Sequence, residues 1–215
     1  MHEGRVLREY ELARGISVAR SGLVVDRTRP YLACSPDGIA ADRLVEVKGI
    51  YSCRELEVEV TVAGVAGCEP VRCSRSVRIV PDAALSSAAD AGPYDALVLP
   101  GGLGGAQAFC QSQLVKRALL EQEATGRLIA AICAAPTALR AHGLCTGRAL
   151  TSYPTFRDEL VAAGYRYLEQ PVVVDGTLVT SRGPGTAVHF ALELVGQLCG
   201  GERQARTAAA LLSAA

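Results

Sequence analysis

Cys133 is the residue of this sequence best placed to do chemistry. It follows Leu128–Ile132 (LIAAI), a short apolar run that suits a buried strand. Ala134–Arg140 (AAPTALR) then has helical composition, with Pro136 in the first turn, where a missing N–H costs nothing. A cysteine on such a turn points to solvent at the carboxyl edge of a sheet. The positive end of the helix dipole favours its thiolate and should lower its pKa below that of a free thiol. This is the logic of a nucleophile elbow, with alanines where G-x-S-x-G carries glycines. The same residues also fit a small, unreactive thiol buried at a tight junction. A second strand end, Leu99-Pro100-Gly101-Gly102, adds backbone donors that a ligand can approach closely. The N–H groups of Gly102 and Ala134 could form an oxyanion hole beside the Cys133 sulfur. In an open α/β sheet, sites lie at the carboxyl ends of strands.

A second group of candidates lies upstream. Ser35–Gly38 (SPDG) is a turn by its Pro, Asp and Gly. It presents Asp37, and Glu46 and Lys48 follow two apart on a candidate strand. Two carboxylates can hold a hard cation such as Mg²⁺, and a lysine can orient a water or phosphate. The stretches SPDG, VEVKG and IYS resemble PD-(D/E)XK nucleases of the YqaJ-like viral recombinase type. That resemblance implies Asp37 and Glu46 as metal ligands and Lys48 as the catalytic lysine. Glu9 or Glu11 would supply the upstream helix acid. The likeness covers only about the first quarter of the chain. The strands and helices such a nuclease needs after its lysine do not follow. A solvated turn and an edge strand of alternating charge account for the same residues.

The elements that must position these groups are bounded by composition. The 215 residues allow one domain, or one plus a fragment. Lys and Arg number 22, as do Asp and Glu, so global charge gives no argument for nucleic acid or membrane. No apolar run has the length of a bilayer span. The charged start MHEGRVLREYELARG has no apolar core of a signal peptide. The eight cysteines form no C-x-x-C pair, which favours a reduced, cytoplasmic setting over a disulfide framework. His2, His142 and His189 lack metal-ligand spacing, so no zinc is expected.

Up to about Val58 the chain is charged and irregular. Glu3–Leu12 suits a short helix, and Ser21–Val25 and Leu44–Lys48 suit strands. Beyond Leu56, helix and strand signals alternate, as in a parallel sheet covered on both faces. Strands are expected at Glu57–Ala63, Asp95–Leu99, Leu128–Ile132 and Ala149–Ser152. Hairpins are expected at Val71–Cys73 with Val77–Val80, and at Val172–Val174 with Thr177–Ser181 over Asp175-Gly176. Helices are expected at Gln107–Ala124 with Gly126 as the stop, at Thr155–Ala163, at His189–Leu198 after Pro184, and at Glu202–Leu212.

From Val60 onward the chain resembles the DJ-one branch of the ThiJ/PfpI superfamily, the Parkinson disease protein deglycase type. The stretches that carry the likeness are VTVAGVAG, PVRCSR, PDAAL, GPYDALVLPGG, GAQ, LIAAICAAPTAL and DGTLVTSRGPGT, about three quarters of the chain. The resemblance implies a flavodoxin-like three-layer sandwich with a mostly parallel sheet over residues 58–215, usually as a homodimer. It implies oxidative-stress protection, redox-sensitive chaperone activity, and cofactor-free glyoxalase or deglycase chemistry on small reactive carbonyls or glycated protein. Cys133 becomes the oxidisable nucleophile, with Gly102 and Ala134 as oxyanion donors. Arg75 is placed at the dimer interface, Pro184 lines the pocket across it, and Cys73 is a secondary redox thiol. The setting is cytoplasmic, with nucleus and mitochondrion as further locations in the family. Two departures stand out. The family's first strand, its loop glutamate and its first helix precede VTVAG, and here residues 1–57, an α+β nuclease-like fragment, hold that place. Glu55, Glu57 and Glu59 are acids in the wrong context. A histidine often found near the cysteine is Tyr153, and a phenol is a poor base near neutral pH. The loss of a central strand should leave sheet edges unpaired.

Overall fold

The computed structural model describes residues 24–25, 33–34, 59–73 and 76–213. Strands β1 (Val24–Val25) and β2 (Ala33–Cys34) pair antiparallel. β3 (Ala63–Gly64) pairs in parallel with β6 (Ala83–Ala84), and β4 (Val71–Arg72) forms a hairpin with β5 (Arg78–Ile79). Helix α1 (Leu85–Ala91) leads to β7 (Ala96–Leu99). Helices α2 (Leu103–Gln111) and α3 (Gln113–Ala124) precede β8 (Leu128–Ile132) and α4 (Pro136–His142). β9 (Ala149–Leu150), α5 (Arg157–Ala162) and β10 (Arg166–Tyr167) follow. The hairpin β11 (Val172–Asp175) and β12 (Leu178–Ser181) leads to α6 (Ala187–Cys199) and α7 (Gly201–Ala210).

β8 is central in a sheet ordered β11-β12-β8-β7, parallel except for β11. Its apolar run has no polar alternation because both faces are covered. Ile129 and Ala131 enter the larger core with Leu119, Leu139 and Leu150. Leu128 and Ala130 face the other way, with Val179 and Phe190. α3 covers the first face and α6 the second, which gives the three-layer α/β sandwich. Each fully buried Leu or Ile stabilises this arrangement by about 1.5–3 kcal/mol.

The sequence expectations for β8, the β11–β12 hairpin and the helix after Pro184 agree with the structure to within two residues. The stop at Gly126 also holds, since this glycine takes φ 65° just beyond α3. The single helix expected over Gln107–Ala124 is two. Ser112 adopts extended backbone, and its hydroxyl accepts the Val115 N–H at 3.3 Å, so it caps a new helix instead of continuing the old one. Of the strand expected at Glu57–Ala63, the described residues 59–62 are not strand and β3 is Ala63–Gly64. At Val62 the groups go to Asp82, whose carboxylate accepts the Val62 N–H at 2.8 Å and whose own N–H donates to Val62 O at 2.8 Å. Val60 and Val62 are left 54% and 41% exposed. α1, β6 and β10 were not expected, being short and without clear periodicity. Among the described residues β7 has β8 on one side only, and Val98 on it is 42% exposed. The expected helix over Glu3–Leu12, the strand at Leu44–Lys48, and Glu9, Glu11, Asp37, Glu46, Lys48, Glu55, Glu57 and Arg75 lie outside the described residues.

Beyond α4 the chain turns at Cys145, whose N–H donates to Glu123 Oε1 at 2.8 Å. Burial, with Glu123 beside it, pushes the Cys145 thiol from 9.0 up to about 12. Burial also pushes the Tyr165 phenol, which donates to Leu144 O, from 10.0 up to about 12. Both groups hold their protons longer when folded. Stability is therefore unaffected below pH 9 and falls as pH rises from there toward 12, where the unfolded chain ionises first. Urea midpoints should drop steadily above pH 9, and Cys145→Ala should make that decline shallower. A flat midpoint across this range would refute the account.

Candidate active site

Cys133 occupies the turn between β8 and α4 with φ 65°, a left-handed conformation that a residue with a side chain adopts at a cost of about 1–3 kcal/mol. Three observations show how the sequence holds it there. Its N–H donates to Ser181 O at the end of β12, at 2.9 Å, and its carbonyl accepts the Tyr153 N–H at 2.9 Å. Ala134, Ala135 and Ala138 are at most 1% exposed, so the turn sits on packed methyl groups that a larger residue would displace. Pro136 then opens α4 at its first position. The helix begins two residues later than the sequence suggests, because Cys133–Ala135 form the turn itself. Thr137 donates its hydroxyl to Ala134 O at 2.7 Å and ties that turn to the helix.

The glycine that meets the cysteine is Gly101. A Cβ there would stand 2.9 Å from Cys133 Cβ and 3.7 Å from its sulfur. This close approach to the cysteine is separate from the expected role of Gly102 as an oxyanion donor. Gly102 has φ 113° and precedes α2, with nothing within 4 Å of where its Cβ would be. Ala134 follows Cys133 directly and is buried. Tyr153 is brought beside the cysteine through its N–H, with its side chain 45% exposed. Its ring also faces Gly183, where a Cβ would lie 3.5 Å from Tyr153 Cδ2. Pro184 is exposed at the start of a 3₁₀ turn, Pro184–Thr186. Cys73 lies in the β4–β5 hairpin, its N–H donating to Val77 O at 2.7 Å. His142, at the far end of α4, is bonded to Phe109 O through Nε2 at 2.8 Å. It serves the contact between α4 and α2. Among the described residues no group of three or more His, Cys, Asp or Glu side chains could hold a metal ion. No helix among them is long and apolar enough to cross a membrane.

A profile of the DJ-1/PfpI family matches residues 40–197. This chain belongs to the DJ-1/PfpI family. It is 50% identical over 160 residues to the Parkinson disease protein 7 homolog of Danio rerio, covering 74% of this chain and 85% of that one. It is 40% identical over 146 residues to the glutathione-independent glyoxalase DJR-1.2 of Caenorhabditis elegans, covering 68% and 76%. The crystal structure of Drosophila melanogaster DJ-1beta superposes with a TM-score of 0.76 at 46% identity, over 82% of this chain and 93% of that one. The flavodoxin-like class expected from the sequence agrees with these relatives. The nuclease resemblance of residues 1–57 finds no support here. The DJ-1/PfpI match starts at residue 40 and so runs over both Glu46 and Lys48.

Gly101, Thr137, Ser181 and Gly183 shape this DJ-1/PfpI site and were missed as individual residues. The stretches LPGG and TSRGPGT drew attention to the loops, but not to which atom would touch the cysteine. Gly101→Ala should force the elbow apart, because Cys133 Cβ is backbone-anchored and cannot swing away. We expect a loss of roughly 1–3 kcal/mol in chemical denaturation. Slower alkylation of Cys133 should accompany it. A variant with unchanged stability and labelling would contradict the close contact.

Proposed function

We propose that this protein is a cofactor-free glyoxalase or protein deglycase that works through Cys133, in the setting of oxidative-stress protection. The observation that carries this reading is the cysteine held left-handed at the carboxyl end of the central strand, half-buried and pressed by Gly101. The relative named as a glutathione-independent glyoxalase supports the substrate class. In the proposed reaction the Cys133 thiolate attacks the aldehyde carbon of methylglyoxal, and a sulfur–carbon bond forms. The N–H groups of Gly102 and Ala134 hold the resulting oxyanion. A proton leaves that carbon and another is delivered to the neighbouring one, which gives a thioester of lactate. Water cleaves the thioester and frees the thiol. The net change is addition of one water, with no external oxidant or metal. On a hemiaminal adduct of a side-chain amine, the sulfur–carbon bond forms at the carbon bearing nitrogen as the carbon–nitrogen bond breaks, the thiol's proton leaves with the amine, and the same hemithioacetal results.

Proton movement is the weak step, since the family glutamate has no counterpart in the sequence pattern before Val60 and Tyr153 stands in for a histidine. General acid–base help is typically worth about 10²–10⁴-fold, and turnover of methylglyoxal should fall short of an intact relative by about that factor. Thiol oxidation does not need the shuttle. Peroxide should carry Cys133 to sulfenic and then sulfinic acid, with Cys73 as a secondary thiol. Arg75 and Pro184 are proposed to lie at a two-fold interface, where the same patch meets itself. The cytoplasm is the proposed location.

Lactate formation from methylglyoxal by the purified protein and by Cys133→Ser tests the reading directly. We expect slow turnover that the substitution abolishes. Turnover that survives Cys133→Ser would overturn the assignment. A rate equal to an intact relative's would instead mean that an acid, with Glu55, Glu57 and Glu59 the first to mutate, reaches the sulfur. Light scattering at micromolar concentration should report a dimer, and a monomer would remove Arg75 and Pro184 from the site.

A further inference from the structure

The elbow's partner strand ends in a pair of hydroxyls, one buried and one half-buried, that the proposed chemistry leaves unused. Ser181 is fully buried, and its Oγ lies 2.8 Å from Pro171 O and 2.7 Å from Thr186 Oγ1. Thr186 Oγ1 in turn accepts the Gly183 N–H at 3.1 Å. Ser181 donates to Pro171 O, and Thr186 Oγ1 donates to Gly183 O at 3.0 Å, a carbonyl whose second lone pair takes the Thr186 N–H at 2.9 Å. In the short contact between the two hydroxyls either can be the donor. The set links Gly183 through Thr186 and Ser181 to Pro171 O. It straps the loop 182–185 down onto the strand end.

This strap closes a circuit around the thiol. Ser181 O accepts the Cys133 N–H, and the Tyr153 ring lies on the side of Gly183 where a side chain would project, 3.5 Å from where its Cβ would be. Tyr153 N–H returns to Cys133 O. Left-handed backbone at a residue with a side chain persists only where its surroundings over-determine it. We propose that Ser181 and Thr186 are positioning residues for Cys133. Their hydroxyls fix the loop 182–185 and Tyr153 as one wall of the thiol site and so hold the elbow in its reactive geometry. Neither touches the reacting atoms. The inference rests on the reading of Cys133 as the reactive thiol.

Thr186→Val removes the hydroxyl and keeps the shape, and Thr186→Ser restores it. The readouts are the pH profile of Cys133 alkylation by iodoacetamide, kcat and KM for methylglyoxal, and Tm. Thr186→Val should slow alkylation and lower kcat by roughly 10- to 100-fold, the effect expected of a displaced reacting group. Thr186→Ser should recover most of both. Should Thr186→Val fail to fold, Ser181→Ala is read in the same way. Alkylation within twofold of the unmodified protein, or no rescue by Thr186→Ser, overturns the proposal, and a lowered Tm alone does not save it. If the unmodified protein and Cys133→Ser are equally inert to methylglyoxal, the glyoxalase reading falls. The strap is then decided by the alkylation profile alone.

Discussion

The left-handed backbone of Cys133 is the constraint on which the rest of the site depends. A side chain at φ 65° is unfavourable by itself, so the fold has to supply the difference. It does so from both sides of the residue. The N–H is taken by the end of β12 and the carbonyl by Tyr153. The strand that delivers the cysteine is buried on both faces, which leaves the turn no freedom to relax by tilting. The helix that receives the chain starts with a proline whose fixed φ suits that position.

Small residues make this geometry possible. Ala131, Ala134, Ala135 and Ala138 are all at most 1% exposed. They let α4 sit close under the sheet and let Gly101 approach the cysteine. In a close-packed interior, an added methylene at any of these positions would be felt at the sulfur. Leu119, Leu139, Leu150 and Leu178, fully buried around them, supply the apolar area that a row of alanines cannot.

Polar side chains, buried or half-buried, then set the loops at the sheet's ends. Asp175 accepts the Ala149 N–H at 2.6 Å and ties the β11–β12 hairpin to β9. Thr180 Oγ1 accepts the Thr151 N–H at 2.9 Å from a fully buried position. At the opposite end of β12, Ser181 and Thr186 do the same for the loop beside the thiol. Each bond is worth only about 1 kcal/mol net, yet leaving its buried donor unpaired costs more than making it gains. These contacts therefore specify one loop arrangement more than they add stability.

The sequence by itself determined β8, the turn after it, Cys133 as its occupant, and the β11–β12 hairpin. Those features rest on short-range rules: an unbroken apolar run, a proline in the first helical turn, an Asp-Gly pair. The same local rules misjudged Gln107–Ala124, where a serine capped a second helix, and residues 59–62, where the distant Asp82 took the N–H and C=O of Val62. The stretch LPGG located the neighbourhood of the thiol, but the close approach of Gly101 to Cys133 was not legible in it. Ser181, Thr186 and Gly183 were visible only as part of a loop sequence. Their roles depend on which strand lies beside β8 and in what register, with Ser181 opposite Ile132. Periodicity encodes which face a residue takes within its own strand. Pairing between strands is decided by the packing of the whole sheet, and so the partners of the cysteine belong to the tertiary structure.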